Sequence, residues 1–123
     1  MVVDTSVLLA VFFAEPHGPW AAARLGEYAG ALRMSTVNLA ETLIRLRDRQ
    51  PTLYPQLEAR VLGSGIRFVA PTVEQARVAA EARVRLPLNL GDCFAYALAV
   101  TEGCPILTLD ADFRRTEHAV VMP

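Results

Sequence analysis

The sequence predicts an α/β domain, with a mostly parallel sheet and helices on both of its faces. Three observations carry that prediction. Short β-branched or aliphatic runs alternate in order with longer segments of helical spacing, which is the pattern of strand–helix–strand crossovers. Glycine, proline or short polar residues punctuate most of the junctions. The chain of 123 residues is 53% hydrophobic, enough for one compact core and too short for two, so residues 1–123 read as a single domain.

Val2 to Asp4 is a short buried strand, and Thr5 or Ser6 is the expected N-cap of a first helix over Val7 to Ala14. Pro16-His17-Gly18-Pro19 breaks that helix, and Pro19 suits the first turn of a second, Trp20 to Tyr28. Leu32 to Ser35 is a second strand. Thr36 opens a third helix, whose apolar positions Val37, Leu39, Ala40, Leu43, Ile44 and Leu46 keep helical spacing to about Arg49, before Pro51. Leu53 to Leu62 is a fourth helix, closed by Gly63, and Ile66 to Ala70 a third strand. Thr72 with Gln75 has the capping-box spacing and starts a fifth helix, Val73 to Val84. After a loop over Pro87 to Gly91, Asp92 begins a sixth helix that is apolar nearly all round and therefore expected between layers. Gly103 ends it. Ile106 to Leu109 is a strand, Asp110 to Arg115 a turn or short helix, and Ala119 to Met122 a last strand.

The whole-chain numbers narrow the function. The formal net charge is −1, so no global basic field attracts nucleic acid. Every basic residue is arginine; without lysine, mechanisms that need an essential lysine are excluded. The mean hydropathy of +0.29 is high for so small a domain and implies apolar surface covered by another chain. The two cysteines, Cys93 and Cys104, fit no zinc or redox spacing and read as reduced and cytosolic. The first apolar run is broken by Asp4 and Glu15, too short for a membrane anchor and without the basic leader of a signal peptide. A cytoplasmic protein is expected.

Four acidic positions recur where a sheet of this kind places its chemistry. Asp4 and Asp110 each end an apolar strand, Asp92 stands at a helix N-terminus, and Glu41 lies about one turn inside another helix. Singly, each has a plain reading: Asp92 as a cap, Glu41 as an i,i+4 partner of Arg45, Asp110 as a turn former. Together, carboxylates at one edge of one sheet repel unless a cation neutralises them, and hard oxygen ligands suit Mg²⁺ or Mn²⁺. The chemistry that goes with such ions is phosphodiester hydrolysis.

The segments Val2-Val3-Asp4-Thr5-Ser6, Ser35 to Glu41, Leu90-Gly91-Asp92 and Leu107 to Phe113, in that order, resemble the motifs of PIN-domain ribonucleases, especially VapC-type toxins of toxin–antitoxin pairs. The resemblance spans essentially the whole chain. It implies a PIN-like fold with a four- or five-stranded parallel sheet, a divalent-metal site, cleavage of single-stranded RNA, a homodimer, and a small antitoxin covering the active site. Carried over by position, Asp4 and Asp92 are the principal metal ligands, and Glu41 and Asp110 complete the acidic pocket. Asp112 fits the end of the last motif as well, although Asp110 directly follows the strand. Thr5, Ser6 and Thr108 are expected to orient carboxylates. Asn38, one turn before Glu41, either binds a phosphate or carboxylate or only bonds the backbone.

Arginines flank these motifs: Arg45, Arg47 and Arg49 on the Glu41 helix, Arg83 and Arg85 before Asp92, and Arg114 and Arg115 after Asp110. Arg45, Arg47, Arg85 and Arg114 are candidates for RNA phosphates, against the alternative of solvated helix ends. Phe12, Phe13 and Trp20 read as core or interface. A receiver-type phosphoacceptor domain would want a lysine that is absent, and a haloacid-dehalogenase-type phosphatase would want a second aspartate where Ser6 stands. A non-catalytic RNA- or partner-binding domain and a metal-dependent DNA nuclease remain the alternatives.

Overall fold

In a computed structural model that describes residues 1–123, five short parallel strands form one sheet. They are β1 (Val2–Val3), β2 (Arg33–Ser35), β3 (Arg67–Val69), β4 (Ile106–Leu107) and β5 (Val120–Val121), in the order β3-β2-β1-β4-β5. The helices are α1 (Thr5–Phe12), α2 (Gly18–Glu27), α3 (Thr36–Arg49), α4 (Tyr54–Leu62), α5 (Val73–Arg85) and α6 (Leu90–Glu102), with a 3₁₀ turn at Ala111–Arg115.

Successive strand residues point to opposite faces, and here both faces are dry. Val3 and Leu107 join the core that α1 to α4 build, with Met34 and Leu46 fully buried in it. Val2 and Ile106 face the second core, which α5 and α6 supply through Ala79, Ala82, Ala95 and Leu98. The small alanines let α5 and α6 pack closely together. Phe12, Phe13 and Trp20 are half-buried against the first core, as expected.

The strand order reverses between β1 and β4. The chain builds β1, β2 and β3 outward in one direction and then returns to place β4 on the other side of β1. Such a reversal opens a crevice beyond the carboxyl ends of the two central strands. Asp4 follows β1 and Asp110 lies just beyond β4, so both stand at that crevice.

Several local expectations are corrected. Asp4 is not a strand residue but the N-cap position of α1, and its side chain makes no capping bond. Thr5 and Ser6, expected as the cap, lie inside the first turn. Thr72 does cap α5 by accepting from the Gln75 amide at 3.1 Å, but the reciprocal bond of a capping box is missing. The complete box occurs at α6, where Asn89 is the cap and Asp92 is the third helical residue. Asp92 N–H donates to Asn89 Oδ1 at 2.8 Å, and Asn89 N–H donates to Asp92 Oδ2 at 3.3 Å. Gly103, at φ 66°, closes α6 in the left-handed conformation that glycine adopts without strain. The strands are shorter than the apolar runs that predict them, since the flanking residues leave the ladder to become caps and turns.

Candidate active site

Asp4, Glu41, Asp92 and Asp110 come from four separate elements and line one pocket of about 170 Å³, with Thr5, Ser6, Leu9, Arg45 and Asn89. Asp4 is 2% exposed and Asp92 6%, so two carboxylates are held almost out of water at the mouth of an open depression. Asp112, the alternative to Asp110, is exposed on the 3₁₀ turn and does not line the pocket. Its backbone N–H instead donates to Asp110 Oδ1 at 2.9 Å, which makes Asp110 the cap of that turn and fixes its carboxyl at the crevice.

Each acidic side chain is oriented by hydrogen bonds to one of its two oxygens. Ser6 Oγ donates to Asp4 Oδ2 at 2.7 Å, and Thr108 Oγ1 donates to the same oxygen at 2.9 Å. Ser6 Oγ also accepts the Leu109 amide at 3.0 Å, tying α1 to the chain leaving β4. Thr5 Oγ1 donates to Glu41 Oε1 at 2.6 Å; it therefore orients Glu41 and not Asp4. Asn89 N–H takes Asp92 Oδ2, and the Asp112 amide takes Asp110 Oδ1. The partner oxygens, Asp4 Oδ1, Glu41 Oε2, Asp92 Oδ1 and Asp110 Oδ2, receive no donor from the protein.

Asn38 does not reach into the pocket. It is wholly buried, and its Nδ2 donates to the Gly91 carbonyl at 2.9 Å, while its backbone carbonyl accepts from Thr5 Oγ1 at 3.2 Å and Thr42 Oγ1 at 2.8 Å. Of its two expected uses, the backbone-binding one is realised, and it joins α3 to the start of α6. Beside this joint, Gly91 leaves room that a side chain would fill: a Cβ there would lie 2.5 Å from Glu41 Oε2. Gly91 and Asn89 are pocket-shaping residues that the sequence reading passed over. Asn89 was detectable, because asparagine three residues before an acid is a capping pattern.

The electrostatics show the strain of gathering these charges. Burial pushes the Asp92 carboxyl up to about 7 from the ordinary 3.8, with Asp4 and Asp110 adding repulsion and the Asn89 amide opposing. Burial likewise raises Asp4, against the two hydroxyl donors, with Glu41 and Asp110 adding to the rise. Arg45 does not relieve this: Glu41 and Arg45 do not form the ion pair that their i,i+4 spacing suggests.

A hard divalent cation fits these residues. The donors are all oxygen, the acidic cluster is under mutual repulsion, and each carboxylate leaves an oxygen unused. No three acidic side chains close into a cage by themselves. Mg²⁺ does not ask for one, since it keeps several waters and takes one or two carboxylates.

The other candidate arginines do not line the pocket. Arg47 stacks on Tyr54 with its guanidinium carbon 5.2 Å from the ring centre, Arg85 lies 3.7 Å from Glu81, and Arg114 is exposed on the 3₁₀ turn. Only Arg45 among the candidate arginines lines the pocket.

A family profile described as PIN domain matches residues 1–119. A "Ribonuclease VapC" of Mycolicibacterium smegmatis is 36% identical over 134 aligned residues, covering 98% of this chain and 99% of that protein. "Ribonuclease VapC30" of Mycobacterium tuberculosis is 35% identical, covering 98% of both chains. The crystal structure of Mycobacterium tuberculosis VapC20, described as a toxin that cleaves the sarcin–ricin loop, superposes with a TM-score of 0.84 at 22% identity, over 99% of this chain and 98% of that one. FitAcB from Neisseria gonorrhoeae superposes at 0.78 with 20% identity, over 97% and 94%.

Proposed function

The chain belongs to the PIN-domain family, and from that premise we propose that it is a divalent-metal-dependent endoribonuclease, the toxin of a toxin–antitoxin pair. The observation that carries the reading is the pocket itself. Four carboxylates from four elements meet at the switch point of the sheet, and each keeps one oxygen free of protein donors.

Asp4 and Asp92 would hold Mg²⁺ or Mn²⁺, with Glu41 and Asp110 completing the shell directly or through water. Such a cation supplies Lewis acidity toward a phosphoryl oxygen and toward water, and balances charge on the leaving oxygen. The chain's own part is to position. Ser6 and Thr108 lock Asp4 through Oδ2, and the capping box locks Asp92 through its backbone. Glu41 Oε2 and Asp110 Oδ2, without protein donors, are the available acceptors for a proton leaving an attacking water. The burial of Asp4 and Asp92 strengthens every charge interaction at the reacting phosphate.

The partners follow from the same reading: single-stranded RNA as substrate, a second copy of the chain, and a small antitoxin protein. Ile44, Val73, Val84 and Leu90 are large apolar side chains left more than half exposed, which agrees with covered faces. No helix is long and apolar enough to cross a membrane; a cytoplasmic setting is part of the proposal.

One assay tests the activity. The protein is incubated with single-stranded RNA and with single-stranded DNA, with Mg²⁺ or Mn²⁺ and with chelator, beside Asp4→Asn and Asp92→Asn. RNA cleavage that needs the metal and is lost in both variants supports the reading. Equal cleavage by parent and variants overturns it, and cleavage of DNA alone replaces RNA as the substrate.

A further inference from the structure

From the packing of α1 against α3, we infer that Arg45 and Arg49 form a rail that leads single-stranded RNA away from the acidic pocket. Arg45 would hold a phosphate next to the cleaved one, and Arg49, stacked on Phe13, would present a flat surface to a base. The inference rests on the ribonuclease reading and names the path of its substrate.

α1 starts at the pocket beside the second turn of α3, and the two helices run on from there in the same direction. Thr5, in the first turn of α1, bonds Glu41 on α3. One turn on, Leu9 and Arg45 both line the pocket. One turn further, the Arg49 guanidinium carbon lies 4.1 Å from the centre of the Phe13 ring at the end of α1. The register is constant, because each step adds four residues to both helices. Each step also advances about 6 Å along the axis, so the two arginines stand roughly 6 and 12 Å beyond Glu41.

Neither arginine is neutralised by a carboxylate. Both are exposed and neither takes part in an ion pair; of the seven arginines so left, only Arg45 lines the acidic pocket and Arg49 lies one turn beyond it. The case of Arg45 is the more telling. It has an acid four residues before it on the same helix and a cluster of carboxylates around the pocket it lines, yet it pairs with none. A cation kept unpaired at the rim of an anionic pocket suits an anion that arrives with its own countercharge, which describes a phosphodiester beside a bound metal ion.

Arg49 has different chemistry. A guanidinium laid on a ring is fixed in orientation and keeps its other face open. Bases of single-stranded RNA stack on such planes, and stacking tolerates any base. A phosphate grip followed by a stacking platform is therefore matched to an extended, unpaired strand and not to a duplex.

The test measures binding as well as cleavage. Fluorescence anisotropy with a short single-stranded RNA, in chelator and across a salt series, is applied to the parent, Arg45→Gln, Arg49→Gln, Arg49→Lys and the control Arg77→Gln on α5. Arg45→Gln is expected to weaken binding and reduce the slope of log K against log salt by about 0.7, the share of one single-strand phosphate contact. Arg49→Gln is expected to lose about 10-fold in affinity, and Arg49→Lys to remain weak, since it keeps the charge and loses the plane. With Mg²⁺ present, Arg45→Gln should raise KM far more than it lowers kcat. Arg77→Gln should match the parent throughout.

Failure of the two ideas is distinguishable. A parent that neither binds nor cleaves RNA overturns the ribonuclease reading and the rail with it. A parent that cleaves RNA while Arg45→Gln and Arg49→Gln keep its affinity and salt slope overturns the rail alone. The same result with lost binding of a protein partner would assign the seam to that partner.

Discussion

Gly91→Ala should leave the protein folded and disable it. The added Cβ would lie 2.5 Å from Glu41 Oε2 and 2.9 Å from Oε1, where 3.4 Å or more is ordinary contact. The carboxylate must retreat by roughly 1 Å to reach normal separation. Nothing else opposes the methyl group within the three nearest atoms, and all of these belong to the far end of one flexible side chain. The stability effects nearly cancel. Replacing glycine inside a helix gains about 1 kcal/mol, and loosening the Thr5–Glu41 bond costs about 1 to 2 kcal/mol. The midpoint of thermal unfolding should therefore move by no more than about 5 °C in either direction. Catalysis has no such compensation, because a displacement of about 1 Å at a reacting centre can cost roughly 100-fold in rate. The assay is RNA cleavage beside circular-dichroism melting for Gly91→Ala, Glu41→Gln and the double variant. The double should be no worse than Glu41→Gln, because both single changes act through one carboxylate. Parent-level cleavage by Gly91→Ala would show that Glu41 has no positional role; loss of folding would show that the Glu41 carboxylate cannot retreat as described.

Metal-free stability should fall as pH rises from about 4 to about 7. Across that window the folded protein keeps a proton on Asp92 that the unfolded chain has lost, so the contribution is complete below 3.8 and gone above about 7. The full shift would correspond to about 4 kcal/mol, reduced in a solvent-open pocket to about 1 to 2; melts in chelator at pH 5 and 8 check the sign, and a higher midpoint at pH 8 would contradict it. Mn²⁺ should bind more tightly as pH rises over the same range and should flatten the dependence, which titration calorimetry in two buffers reads as proton release. Ser6→Ala and Thr108→Val should each weaken Mn²⁺ binding by about 10- to 100-fold, because Asp4 loses a donor that fixes it. Asp110→Asn should abolish most cleavage, while Asp112→Asn, whose side chain lies outside the pocket, should stay within about twofold of the parent; loss in Asp112→Asn with Asp110→Asn unaffected would return the choice to Asp112.

The parts of the site that follow from local chemistry were legible in the chain. Apolar runs ending in Asp4 and Asp110 placed two acids beyond strand ends, and parallel sheets put their crevice there. The α3 boundaries were equally plain, since Ser35-Thr36 and the approach to Pro51 punctuate a clear helical stripe. What depends on the distance between elements was not. The partner of Thr5 is decided by how closely α1 lies on α3, and the role of Gly91 by how closely α3 lies on α6. Asn38 shares the helical face of Glu41, but it is one turn deeper in the packing, so it bonds Gly91 and leaves the pocket to Glu41. The start of α6 was misplaced by a competition between caps: Asn89 and Asp92 both suit the position, and the turn after Leu88 gives it to Asn89. Three arginine–ring stacks, Arg47 on Tyr54, Arg49 on Phe13 and Arg60 on Phe12, carry no periodic signal because they join different helices, whereas Arg24 over Trp20 is an i,i+4 pair within α2.

The bond from Thr108 to Asp4 spans 104 residues, and it joins almost the first part of the chain to be made with almost the last. At 5 to 20 residues per second, synthesis separates the two partners by about 5 to 20 s. During that interval the central strand has a neighbour on one side only, and its aspartate lacks both the threonine and the Asp110 end of the pocket. A nascent or prematurely released chain thus lacks the Thr108 donor and the Asp110 carboxylate of the pocket. For a ribonuclease, this ordering separates manufacture from action in time.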